Sequence, residues 1–231
     1  MSRLRMLLLM AVGAGILATG ASADVYPILY GHGTATLDGT LSPGEWQGNV
    51  AEFEVSDPNG GTTWGTARFM DDGANMYWAI VIGPATYDFF VATIDLDDDD
   101  DNVCETGEDF LSYNGVFLDM HQVESCASPV VVDDPWSEDG DAHFHFDAAG
   151  VVMEISHPLA SADVDYDIAV AAGDRVGFRL NIAVCYLGDC TGTQMYPGTA
   201  YSSGAIAVGA LFTDNFESGA TNVWSKTVGG P

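Results

Sequence analysis

The segment 95–109 carries residue types and a spacing that suit the binding of a cation. It reads DLDDDDDNVCETGED, and no lysine or arginine lies near it in the sequence. Carboxylates packed this closely repel one another unless they are fully solvated or share a cation. Calcium is the predicted cation, because it takes roughly six to eight hard oxygen ligands in flexible geometry. A solvated acidic loop without a bound ion is the alternative.

The order of the acidic residues matches a known calcium-binding loop. Counted from Asp97 as the first position of an EF-hand loop, the third, fifth, ninth and twelfth positions are Asp99, Asp101, Glu105 and Glu108. The sixth position, normally glycine, is Asn102, which also tolerates the left-handed conformation. The preceding run 89–94 is typical of a strand. We therefore predict an EF-hand-like ligand order on a β scaffold, with these candidate ligands: Asp95, Asp97, Asp99, Asp101, Glu105, Glu108 and Asp109.

Residues 1–23 have the three parts of a secretory signal peptide. Two arginines precede an apolar run at 6–17, and the small residues at 21–23 form an A-x-A cleavage site. The apolar run is too short for a membrane span. We therefore expect an exported protein, secreted or held at the cell surface, with no membrane span after cleavage.

The charge balance excludes several classes of partner. The chain has 6 basic and 34 acidic residues, a net charge of −28. Loss of the signal peptide removes two arginines and leaves 4 minus 34, or −30. Such a surface repels nucleic acid and anionic lipid unless a cation bridges them. We therefore expect no nucleic-acid partner.

Four cysteines in an exported chain predict two disulfides. Three connectivities are open, and sequence proximity favours Cys104 with Cys126 and Cys185 with Cys190. The first pair would tie down the end of the acidic segment. Free buried thiols are the alternative, and no Cys-x-x-Cys spacing indicates a zinc or redox site.

Short β-branched and aromatic runs, separated by Gly, Asp and Pro, dominate the body of the chain. About eleven such runs without a long helical period predict an all-β fold, a single antiparallel β-sandwich. The predicted strands are 34–37, 51–55, 63–70, 76–82, 89–96, 110–117, 130–132, 142–146, 151–156, 175–186 and 205–212.

Several motifs together resemble the family 9 carbohydrate-binding modules and their DOMON-like relatives. They are, in order, DGTLSPGEW at 38–46, TARFMDDGANMYWAIVI at 66–82, TGED at 106–109, VVMEISHPL at 151–159 and GDRVGF at 173–178. The resemblance covers roughly residues 34–184. It implies a β-sandwich, often stabilised by calcium, that holds a sugar between aromatic rings in some members and b-type haem in others.

Sugar binding requires exposed flat aromatic rings, because the apolar faces of a pyranose stack on them. The candidate platforms are Trp64, Trp78 and Trp136, of which Trp136 lies among acidic and polar neighbours. The hydrophobic patterning around Trp46 and Trp78 also favours a core position for both. The expected partner is an extracellular polysaccharide or oligosaccharide.

Haem and a metal ion are two further candidate ligands. Haem would need a facing pair of axial ligands, with Met70, Met76, Met120 or Met153 opposite His121 or His157. His143 and His145 lie two apart in a strand-like run, so both imidazoles could reach one metal, while Phe144 and Phe146 would pack inward. A core or surface role is the alternative for each.

No catalytic motif stands out, so we predict a non-catalytic protein. The predicted division is a signal peptide at 1–23, a β-sandwich at 24–212 and a tail at 213–231. The tail contains FESGATNVW, which resembles a short C-terminal motif of exported bacterial proteins. The prediction is a calcium-binding carbohydrate-binding module. The alternative is a structural surface or matrix protein that self-assembles when calcium bridges its acidic faces.

Overall fold

The computed structural model describes residues 27–84, 89–97, 103, 108–121, 131–132, 139–161, 167–187, 194–198 and 204–209. Within these ranges the chain forms thirteen β-strands and no helix. The strands make two sheets that share one core, which confirms the predicted all-β sandwich. Among the described residues, therefore, no helix is long and apolar enough to cross a membrane.

The larger sheet has eight strands and the smaller sheet five. The eight-stranded sheet contains β1 (Ile28–Leu29), β5 (Phe89–Asp97), β6 (Asp109–Tyr113), β7 (Phe117–His121), β8 (Val131–Val132), β11 (Arg175–Cys185), β12 (Gln194–Tyr196) and β13 (Gly204–Ala207). Its order is β1-β13-β11-β5-β6-β7-β8, and β12 also pairs with β11. The five-stranded sheet has the order β2-β3-β4-β10-β9, with bounds Ala51–Ser56, Thr62–Asp71, Asn75–Ile82, Gly150–Pro158 and Asp141–Asp147.

Side chains from both sheets meet in the core. Successive residues of a strand point to opposite faces, so alternate residues of β4 and β11 turn inward. Trp78 is fully buried, and its ring centroid lies 5.2 Å from that of Phe69 and 5.3 Å from that of Phe178. The Trp78–Phe178 contact joins the two sheets. Truncation of a buried aromatic of this size costs about 3 to 5 kcal/mol.

The segment 34–46 covers part of the outer face of the five-stranded sheet. It contributes to a second apolar cluster made of Ala35, Trp46, Met70, Tyr77 and Ala79. The prediction of a strand at 34–37 is wrong, because these residues have no strand pairing. Their alternating pattern reflects packing onto a sheet and not membership of one.

Most other strands lie where the sequence predicts them, with two differences. The predicted strand 110–117 corresponds to β6, because the chain turns at 114–116, and β7, which begins at Phe117, was not predicted. The sequence did not predict β1 and β12, which have two and three residues. Strands this short carry almost no periodic signal, and their partners define them: β1 pairs in parallel with β13, and β12 pairs with β11.

Several predictions lie outside the described residues. These are the signal peptide at 1–23, the tail motif, and Cys104, Cys126 and Cys190. Cys185 is buried at the end of β11. The signal peptide, the domain limits and both disulfide pairings therefore stay predictions.

Asp72 organises the turn that joins β3 to β4. Its Oδ1 accepts hydrogen bonds from the backbone nitrogens of Ala74 at 2.9 Å and Asn75 at 2.8 Å. Its Oδ2 accepts a hydrogen bond from the Tyr77 hydroxyl at 2.7 Å. Partial burial raises the pKa of Asp72, but these hydrogen bonds outweigh burial and lower the pKa to about 2. The ionised carboxylate therefore stabilises the turn.

Replacing Asp72 with asparagine should reduce stability in a pH-dependent way. At pH 7 we expect Asp72→Asn to lower the free energy of unfolding by about 1 kcal/mol, because the lost hydrogen bonds are charge-assisted but partly exposed. The folded pKa of about 2 lies below the unfolded value of about 3.9. The contribution is thus present above the unfolded pKa and is lost as the pH falls towards the folded one. Denaturant unfolding of both proteins at several pH values measures it; a constant difference from pH 7 down to low pH would contradict this role.

Candidate functional site

An exposed tryptophan marks a depression on the outer face of the five-stranded sheet. Trp64 of β3 is 53% exposed, and its neighbour Gly65 is buried, so the indole points outward. The β2–β3 register places Glu54 opposite Trp64 and Glu52 opposite Thr66. The depression has a volume of about 380 Å³ and is lined by Glu52, Phe53, Glu54, Trp64, Gly65 and Thr66. A flat ring, two carboxylates and a hydroxyl therefore share one surface.

A glycine supports the Trp64 ring. The backbone nitrogen of Gly83 donates a hydrogen bond to the Trp64 carbonyl at 2.8 Å. A Cβ atom at Gly83 would lie 2.6 Å from both Cε2 and Nε1 of the indole. The ring therefore lies directly against backbone, which limits its movement and leaves its other side to solvent.

Neither of the other two candidate platforms, Trp78 and Trp136, is an exposed ring among the described residues. Trp78 is fully buried between Phe69 and Phe178, so it offers no face to a sugar, which corrects its assignment as a platform. Trp136 lies outside the described residues. Trp64 is thus the candidate platform that the described part of the chain supports.

Glu154 of β10 fixes the segment that covers this sheet. Its Oε2 accepts hydrogen bonds from the backbone nitrogens of Asp38 at 2.9 Å and Gly39 at 2.7 Å, and its Oε1 accepts one from Trp46 Nε1 at 3.0 Å. Glu154 is fully buried. Burial raises its pKa, although these three donors oppose the rise.

This contact explains why two of the sequence motifs occur together. DGTLSPGEW supplies the three donors and VVMEISHPL supplies their acceptor. Gly39 has a φ of +76°, and a Cβ there would lie 2.6 Å from the His145 Cβ, so only glycine fits. Sequence reasoning missed Glu154. A single acid within the apolar run VVMEI was the available signal, since an isolated buried carboxylate needs donors.

The structure separates the predicted calcium ligands. Asp95 lies on the outer face of the eight-stranded sheet, where its Oδ2 accepts hydrogen bonds from Arg179 Nε at 2.9 Å, from Arg179 Nη2 and from Asn181 Nδ2 at 2.6 Å. Burial raises the pKa of Asp95, and the Arg179 charge opposes the rise. The carboxylate thus has a cationic neighbour that is distant in the sequence.

Asp109 lies on the opposite face of the same sheet. Its cross-strand partners are Leu96, a core residue, and His121. Asp95 pairs instead with Phe110. Asp109 therefore cannot complete a single calcium site with Asp95, which is a correction to the predicted ligand set. Three further candidates lie outside the described residues: Asp99, Asp101 and Glu105.

The buried carboxylates that remain in the predicted ligand set are compatible with calcium. Asp97 and Glu108 are buried carboxylates, and the Oδ1 of Asp95 is buried with no hydrogen-bond partner among the described residues. Oxygen donors of this kind are the ligands that calcium prefers. If calcium binds here, Asp95, Asp97 and Glu108 are the described residues that would hold it.

Asp109 instead belongs to a group between the two sheets, which we call the interior cluster: Asp109, Asp119, His157 and Asp167. Each offers one potential ligand atom, and these atoms all lie within 4.8 Å of one another. His157 Nε2 lies 3.1 Å from Asp119 Oδ2 and 3.8 Å from Asp167 Oδ2. The side chains of His157, Asp119 and Asp167 are at most 3% exposed.

The charges in the interior cluster shift one another's protonation. Burial raises the pKa of Asp109 well above its usual value, although His157 opposes the rise. Burial lowers the pKa of His157, but Asp119, Asp109 and Asp167 outweigh it and raise the pKa to about 9. His157 was a candidate haem ligand from the sequence, which gives no connection between it and these aspartates.

His143 and His145 lie on one face of β9, as predicted, and both are exposed. His145 Nε2 lies 3.5 Å from Asp147 Oδ2. Phe144 is partly buried and stacks on Tyr113 with a centroid separation of 5.3 Å. Phe146, predicted to pack inward, is instead 50% exposed.

The fold has solved counterparts. A family 9 carbohydrate-binding module from Caldicellulosiruptor kristjanssonii in complex with glucose matches with a TM-score of 0.54 at 14% identity, over 81% of this chain and 98% of that one. The chain shares the fold of these modules. A family 9 module from the same organism in complex with cellotriose has a TM-score of 0.50 at 15% identity, over 81% and 96%. No protein-family model and no curated protein matches the chain.

The role of Glu154 can be tested by a substitution that keeps its size. We expect Glu154→Gln to lower the free energy of unfolding by about 1 to 3 kcal/mol, because an amide nitrogen would face donors that need an acceptor. Hydrogen exchange at the amides of residues 38 and 39 should accelerate. The matched control is Glu52→Gln, at an exposed position on the same sheet. Equal effects of the two substitutions would show that Glu154 does not anchor the segment.

Proposed function

We propose that this protein is an exported, non-catalytic carbohydrate-binding module that binds extracellular glycan at the depression around Trp64. The observation that carries the proposal is the exposed indole held on Gly83, beside the carboxylates of Glu52 and Glu54. The shared fold supports it, because the two modules described above were solved with glucose and with cellotriose.

The chemistry of the depression suits a sugar. One face of a pyranose presents C–H groups, which stack on an indole, and its rim presents hydroxyls. Glu52 and Glu54 accept hydrogen bonds from such hydroxyls, and the Thr66 hydroxyl both donates and accepts them. Because the Trp64 ring is already held against backbone, binding orders few additional groups, which favours affinity.

Removing the ring should abolish most glycan binding. We expect Trp64→Ala to weaken binding at least tenfold, about 1.4 kcal/mol or more, because the stacking surface is lost. Calorimetric titration with glucose and cello-oligosaccharides, after a glycan-array screen, measures the change. Phe146→Ala is the control, since Phe146 is a similarly exposed aromatic on β9. A glycan that binds wild type and Trp64→Ala equally would place the site elsewhere.

We further propose that calcium stabilises this module on the outer side of β5. The support is the burial of Asp97, which shares the outer face of β5 with Asp95, and the Oδ1 of Asp95, which is buried without a hydrogen-bond partner among the described residues. Glu108 is buried as well. Buried carboxylates that share a divalent cation avoid the repulsion that they would otherwise suffer. Arg179 already balances the charge of Asp95.

Calcium should raise the melting temperature of chelator-treated protein. A ligand that binds only the folded state stabilises it by mass action. We expect saturable binding, and we expect Asp97→Asn to weaken it at least tenfold, whereas Asp147→Asn at an exposed position should not. Calorimetry and thermal melting measure both effects. If magnesium at equal ionic strength stabilises as much as calcium, the proposal fails. Calcium-dependent assembly without glycan binding would support a structural surface protein instead.

A further inference from the structure

We propose that the interior cluster is a binding site for a divalent transition metal of the zinc or manganese class, which ties the two sheets together. The metal would be held by His157 Nε2 and by carboxylate oxygens of Asp109, Asp119 and Asp167. This site is separate from the calcium site proposed above, which lies on the other face of the eight-stranded sheet.

The ligands come from both layers of the sandwich. Asp109 begins β6 and Asp119 lies in β7, both in the eight-stranded sheet, whereas His157 lies in β10 of the five-stranded sheet. Asp167 approaches from the chain that follows β10. Ligands about 2.0 to 2.2 Å from a tetrahedral metal lie about 3.3 to 3.6 Å from one another. The spacing of up to 4.8 Å in the interior cluster is wider than this, so metal binding would draw ligand atoms together by up to about 1.5 Å.

Two buried carboxylate oxygens of the interior cluster lack a hydrogen-bond partner among the described residues. Asp109 Oδ1 accepts a hydrogen bond from the Phe110 nitrogen at 2.7 Å, and Asp109 Oδ2 has none. Asp119 Oδ2 faces His157, and Asp119 Oδ1 has none. Both side chains are at most 1% exposed. Leaving such oxygens unsatisfied destabilises the folded state, and a cation between them would remove that cost.

The orientation of His157 is that of a metal ligand. Its Nδ1 lies 2.7 Å from the Pro158 carbonyl oxygen, which can only accept a hydrogen bond. Nδ1 therefore carries a proton, and Nε2 is the atom that faces Asp119 and Asp167. A backbone carbonyl that holds the distal nitrogen in this way fixes the tautomer and the ring plane of metal-binding histidines.

The donor set and the charge select the class of metal. Three carboxylates and one imidazolium sum to −3 plus 1, or −2, within a buried space. A dication with a neutral imidazole gives −3 plus 2, or −1, and satisfies the open oxygens. Imidazole nitrogen suits zinc, and carboxylate oxygens suit manganese, whereas calcium and magnesium take oxygen ligands. The alternative is an ionic network held by protonated His157 without metal.

The test is metal binding by the full mature protein after chelation and dialysis. We expect one equivalent of zinc or manganese per chain by calorimetry and elemental analysis, with a rise in melting temperature. Asp167→Asn should weaken binding at least tenfold. Without metal it should melt no lower than wild type, because it removes one of three like charges. Cobalt should give a d–d absorption in wild type that His157→Gln abolishes.

Exposed residues of the same types provide matched controls. Asp147→Asn and His145→Gln on β9 should leave the stoichiometry, the affinity and the cobalt spectrum unchanged. The proposal is overturned if chelated wild type binds no equivalent of either metal, or if Asp167→Asn binds as tightly as wild type. It is also overturned if His145→Gln removes the bound metal, because the site would then lie on β9. Circular dichroism confirms that each variant is folded before binding is compared.

Discussion

Burying an ionised carboxylate is costly unless donors or a cation meet it, and this chain buries several. Most of the donors come from parts of the chain that are far apart in sequence. Glu154 receives donors from the segment 34–46, and Asp95 receives Arg179. Asp71 accepts hydrogen bonds from the nitrogens of Gly73 and Gly209. The acidic residues are therefore not only surface charge, because they connect the covering segment, the hairpin and the last described strand to the sandwich.

The alternation of side chains between the two faces of β5 and β6 determines which cation each carboxylate can reach. Asp95 and Asp97 are two residues apart and share the outer face, whereas Asp109 pairs with Leu96 and shares the inner one. The carboxylates of one acidic segment therefore lie in two different environments of the fold. The outer side has Arg179, and the inner side has His157 from the opposite sheet. This division also separates both groups from the aromatic surface at Trp64, which lies on the other sheet.

The sequence predicted the features that depend on local pattern. Long alternating runs such as β3, β4 and β11 were found. Features that depend on partners could not be found in this way. Arg179 is 84 residues from Asp95, and Asp119 is 38 residues from His157. The face of Asp109 depends on strand register, which local composition does not determine. Trp78 alternates with Tyr77 and Ala79, which are also buried, under the segment 34–46, so the local pattern did not determine which face Trp78 occupies.

The parallel pairing of β1 with β13 determines how the sandwich responds to mechanical force. Ile28 pairs with Ala205 and Leu29 with Ile206, and these are the first and last of the described strands. Tension between the start of β1 and the end of β13 pulls two parallel strands past each other along their length. Their hydrogen bonds then bear the load together, in shear, whereas a hairpin pulled at its open end separates one bond at a time. The hydrogen bonds between β1 and β13 therefore resist stretching of this edge of the sheet together.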